Sequence, residues 1–154
     1  MTASAKSLRF AKEAEIFDFS ASPKSVHVSK MKSNETALRA YLREELFEDI
    51  EQLIIVAHSN NTNQKALLRM ILGSLYFGIL QKMEKLKANP GMAQSIVVSD
   101  KVLNTINARL TEESRTINNT IKETSSVKTI TIKRYRSFTN KVFRTFVRII
   151  EEYV

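Results

Sequence analysis

Hydrophobic positions along this 154-residue chain recur mainly with a helical period. Leu38, Leu42, Leu46, Ile50, Leu53, Ile54 and Ala57 are spaced by three and four, which predicts an amphipathic helix over 34–57. Ser33 or Asn34 can cap its first amides, and the polar run 58–63 ends it. From Ala66 to Leu80 the chain is apolar almost all round, so a second helix, 64–87, is expected to be buried on most sides. A membrane span needs ~20 apolar residues. Arg69 shortens this run, and the expectation is a core helix with no transmembrane segment. Asn89, Pro90 and Gly91 stop it. A third helix, 100–124, capped by Ser99 or Asp100, has only a narrow stripe: Leu103, Ile106, Leu110, Ile117 and Ile121. Such a stripe packs by one edge, or completes its burial against a partner chain. A last helix is predicted from about 138 to 154, with Ser137 or Thr139 as cap.

Elsewhere the period is shorter. Residues 4–15 can open as a short amphipathic helix. Residues 16–19 and 25–29 alternate around 20–24 like a small hairpin. Residues 95–99 read as an extended link. Over 127–135, β-branched and basic residues alternate, which predicts a strand or extended arm. The fold expected is therefore mostly α: a compact bundle of about four helices around a buried central helix, 64–87, with one or two short β elements. A single domain over 1–154 is expected, with 1–32 as an N-terminal arm or hairpin and 127–154 as a basic C-terminal segment.

Composition narrows the chemistry. Three glycines and two prolines leave few positions for the glycine-rich loops that cradle nucleotides or present nucleophiles. The absence of cysteine excludes disulfides, thiolate zinc sites and cysteine nucleophiles. His27 and His58 are too far apart in sequence to announce a metal site. No constellation of nucleophile, base and orienting group is visible. The expectation is a protein without catalytic residues, metal or cofactor. The N-terminus lacks an apolar signal region, which points to an intracellular location, cytoplasmic or nuclear.

The formal net charge of +8 favours polyanions, and it is unevenly placed. Residues 33–60 carry −4 and residues 127–154 carry +5. On a helical wheel Lys141, Arg144 and Arg148 form one stripe, opposite an apolar arc of about 180°. An arc that wide implies burial on two sides, in the core and against another subunit. Arg148 and Glu152 are spaced to pair along the helix. Just upstream, Lys133, Arg134, Arg136 and Ser137 precede the expected helix start, where free amides and the helix dipole also favour an anion. Tyr135 can stack on a base or pack inward. Lys128, Lys30 and Lys32 are secondary phosphate contacts in this reading.

Glu44, Glu48 and Glu51 share a stripe that is either a solvated face or a docking surface for the basic segment of a neighbouring copy, head to tail. The function expected is non-enzymatic, oligomeric binding of nucleic acid, RNA before DNA, through its phosphates. Sparse glycine, Asn/Thr/Ser-rich helix faces and basic arms would suit a viral nucleocapsid, matrix or accessory protein. The alternatives are a helical protein-interaction module with a protein partner, and peripheral contact with an anionic membrane.

Overall fold

The computed structural model describes residues 33–93, 96–124 and 130–154, with side chains from Ala37 onward. Among these residues five α-helices follow one another: α1 Ser33–Arg43, α2 Leu46–Ser59, α3 Gln64–Ala88, α4 Asp100–Glu123 and α5 Ile132–Glu151. A 3-10 turn, Pro90–Ala93, closes α3. The mostly helical class is borne out, with helices packed around α3. There is no strand among the described residues. The expected hairpin at 16–29, and the N-terminal arm as a whole, lie outside them.

The first expected helix is broken in two. Residues 38, 42, 46, 50 and 54 repeat every four, but an α-helix turns once every 3.6 residues. In a straight helix such a row would drift by about 160° over the run and leave the core. A turn at Glu44–Glu45, with Glu45 at φ 66°, resets the direction. All five side chains are then buried. A non-glycine residue in the left-handed region costs about 1–2 kcal/mol. Burying a leucine or isoleucine contributes about 1.5–3 kcal/mol, so keeping the row inside outweighs the strain.

Caps set the other helix starts. Asn63 Oδ1 accepts from the amides of Lys65 and Ala66 at 2.9 and 3.2 Å, starting α3. Ser99 Oγ accepts from Val102 N at 3.1 Å, starting α4 as expected. α3 is the centre: Leu67, Leu68, Ile71, Leu75, Ile79 and Met83 are fully buried. By length and composition α3 could also cross a membrane; in this fold its buried residues meet the four other described helices. The narrow stripe of α4 is covered within the chain, against α3 and α5. Gly78 permits α2 to approach α3, because a methyl group there would meet Leu46 Cδ1 at 2.5 Å.

α5 starts six residues earlier than expected, and this overturns the strand over 127–135 from Ile132 onward. Residues 125–129, including Lys128, lie outside the described residues. Thr131 is the cap: its hydroxyl accepts from Arg134 N at 3.3 Å, and its carbonyl accepts from Tyr135 N at 3.2 Å. Ile132, Tyr135, Thr139, Val142 and Phe146 carry the helical period through the supposed strand, and Tyr135 is 1% exposed. A short alternation fits both periods; burial of the Tyr135 ring decides between them. The wide apolar arc of α5 is filled inside the chain by α2, α3 and α4. It therefore leaves no second apolar side for another subunit.

Candidate polyanion-binding face

α5 presents its polar side in successive turns. Lys133 and Arg134 are exposed in its first turn, and Ser137 and Lys141 are half-buried. Arg148 is exposed two turns beyond Lys141, and Arg144 is half-buried between them. The helix start expected at Ser137 or Thr139 is absent: Ser137 is interior to α5, and the Thr139 hydroxyl donates to the Tyr135 carbonyl at 2.9 Å. Arg136 and Ser137 therefore stand beside no free amides. At the true start, Thr131 already takes the amide of Arg134.

Arg136 is held by an acid from the other end of the charge pattern. Its Nε donates to Glu51 Oε1 at 2.9 Å, and its Nη2 donates to Glu51 Oε2. Such forked pairing is the strong form of an Arg–carboxylate contact. The hydrogen bond from Arg136 holds the Glu51 carboxyl below its ordinary pKa, against a smaller opposing effect of burial. One member of the acidic stripe, Glu51, thus meets the basic segment within one chain, while Glu44 and Glu48 are exposed. Glu152 does likewise: its carboxylate accepts from Arg109 Nη1 at 3.0 Å, and so the expected Arg148–Glu152 pairing gives way to a contact with α4.

The structure adds two cations that the sequence reading did not single out. Arg39 of α1 donates from Nε and Nη2 to the Glu151 carboxylate at 3.0 and 3.1 Å. That places Arg39 close to Arg144 and Arg148. Burial, then the positive charges of Arg148 and Arg39, push the Arg144 pKa down. Arginine starts so high that the group remains a cation at neutral pH. Four residues along α1, the Arg43 guanidinium lies 4.0 Å over the Phe47 ring and 5.4 Å from that of Phe143. Those two rings meet edge to face at 4.9 Å. Arg43, Phe47, Ile50, Glu51, Arg136 and Asn140 line a cleft of about 160 Å³ where α2 meets α5.

The assembled face is thus Arg39 from α1 beside Arg144 and Arg148 from α5, with Lys133, Arg134 and Lys141 along the same helix and Arg43 one turn further along α1, over the Phe47 ring. Arg39 and Arg43 were legible only as an i, i+4 pair flanking Leu38 and Leu42; their place in an acidic block hid them. Lys30 and Lys32 lie outside the described residues. Among the described residues no group of three or more His, Asp or Glu side chains could hold a metal ion. Comparison of the chain with protein-family models, with curated proteins and with solved structures finds no match.

Proposed function

We propose that this chain binds nucleic acid without catalysing a reaction, RNA before DNA, by gripping phosphates along α5 and the neighbouring edge of α1. The observation that carries the reading is the meeting of Arg39, Arg144 and Arg148, three guanidinium groups on two helices, where Arg39 bonds the Glu151 carboxylate. Surface arginines that only solubilise a helix repel one another and spread apart. Guanidinium groups held together by the fold retain a positive field that a phosphate backbone can neutralise. Such contacts position a chain of nucleotides but do not read its sequence, so weak sequence preference is expected. The aromatic rings of α5 are buried in the core, which leaves phosphate contact, not base stacking, as the source of affinity.

The test is fluorescence anisotropy of a labelled single-stranded RNA across a salt series, with wild type and Arg144→Glu/Arg148→Glu. Affinity should fall by at least about tenfold in the variant at moderate salt. The slope of log affinity against log salt should flatten by about 1.4, from roughly 0.7 per phosphate contact. Unchanged affinity and slope in a folded variant would remove the assignment.

A further inference from the structure

α3 is buried against four helices, yet one stripe of it faces outward. Phe77 is 70% exposed and Met70 42%. Gly73 lies between them on the same face, three residues from Met70 and four from Phe77. A methyl group at Gly73 would meet no atom within 4 Å, so the glycine leaves an open notch. Close packing by Leu46 accounts for Gly78, but nothing among the described residues uses the space at Gly73. The Phe77 ring meets Tyr76 edge to face at 5.0 Å. Tyr76 is in turn tied by its hydroxyl to Asn107 and Thr111 of α4, at 3.0 and 2.5 Å. On the other flank, α2 runs back along α3, with Leu46 against Gly78. Val56, ten residues further along α2, therefore comes level with the turn that carries Met70, and it is 57% exposed. A methionine, a phenylalanine and a valine outward on adjoining helices have the composition of an interface centre.

We propose that this stripe pairs with the same stripe of a second copy, the two α3 helices crossing antiparallel, with Phe77 of each copy seated at Gly73 of the other. A twofold axis makes every contact reciprocal, so one knob and one notch on the same face suffice for both halves. The same register sets Met70 opposite Leu80 of the other copy. It also brings Arg69 within one turn of the other copy's Glu84, an oppositely charged pair at the rim. The area is adequate. α3 is about 37 Å long, and with its neighbours at 8–10 Å spacing it offers a strip about 20 Å wide. That gives roughly 700 Å² per copy, near the ~800 Å² per partner of a stable interface. A lipid surface would use neither the notch nor the mixed charge of Arg69 and Glu84. The cations that would favour an anionic membrane are concentrated on α5, which packs against the buried side of α3. The pairing does not rest on the polyanion reading, and it would leave both basic faces open.

The test is the mass of the 154-residue chain in solution, by light scattering and sedimentation. Wild type should run at twice the 17.6 kDa chain mass. Phe77→Glu should run at the single mass with an unchanged circular dichroism spectrum. Because the chain has no cysteine, Gly73→Cys and Phe77→Cys proteins can be mixed and oxidised. The mixed disulfide should form in preference to either like pair. Predominance of the like pairs would overturn the antiparallel register. A monomeric wild type, or a dimer that survives Phe77→Glu, would overturn the pairing. So would a monomer that sediments with phosphatidylcholine–phosphatidylserine vesicles only while Phe77 is present. Arg144→Glu/Arg148→Glu should remain dimeric, which separates failure of this inference from failure of RNA binding.

Discussion

Tyr135 shows how far one side chain's role depends on where a helix begins. In a basic extended arm it would be free to stack on a base. In the second turn of α5 it is 1% exposed, with its ring 6.3 Å from that of His58. Burial raises its hydroxyl pKa. Tyr135→Ala is therefore expected to lower stability by about 3 kcal/mol, at the lower end of losses for buried aromatic rings. Urea unfolding measures this. RNA affinity of the still-folded fraction, and its salt slope, should be unchanged; a selective loss of affinity would restore the stacking role. Glu45 is the other residue whose state was not visible in sequence. Nothing about a glutamate announces a positive φ. It adopts one because the leucines and isoleucines on both sides must face the same core.

At the scale of elements, the interior of each helix was legible and its ends were less so. The apolar stripes of α3 and α4 lie where the spacing put them, and Ser99 caps α4 as read. α1–α2 and α5 were misjudged because local periodicity does not say how many residues a rigid segment spans. A four-residue repeat drifts around a straight helix, and a nine-residue alternation also fits a helix edge. The observed start of α5 makes a clear prediction. Thr131→Ala should cost about 1 kcal/mol, as expected for a lost N-terminal cap. Ser137→Ala, interior to the helix, should change stability by less than about 0.5 kcal/mol. Thermal unfolding of the two variants decides between the starts: the larger loss at Ser137 would return the helix start to the sequence-based position.

At the scale of the whole molecule, the fold spends several charges internally. Glu51 takes Arg136 and Glu152 takes Arg109, while Arg39 bonds Glu151 at the edge of the proposed phosphate face. The count of 24 basic residues therefore overstates how many cations a polyanion could reach, while the net charge of +8, which already subtracts the acids, is unchanged by the pairing. Glu51→Gln should release Arg136 and steepen the salt slope for RNA by about 0.7, one added phosphate contact. It should also change the acid limb of stability. Arg136 lowers the Glu51 pKa in the folded chain, so the carboxylate contributes stability above the unfolded pKa and loses it as pH falls through the folded value. Wild type and Glu51→Gln should accordingly differ more at neutral pH than below the usual carboxylate range, in urea titrations at the two pH values. An equal difference at both would show that the pair does not matter.

By itself the chain determined its helical class, the central place of 64–87, the lack of cysteine chemistry and the basic bias of its last quarter. These follow from periodicity and composition, which every folded state of the sequence must obey. Tertiary structure decided which charges remain available and which are consumed. Glu51 and Arg136 are 85 positions apart, and Arg39 and Glu151 are 112 apart. No local pattern couples residues at such separation. It also decided that the wide apolar face of α5 is spent inside the chain, while a helix apolar nearly all round keeps Phe77 and Met70 outside. Sequence spacing counts apolar positions, but only the arrangement of neighbouring helices says which of them find a partner.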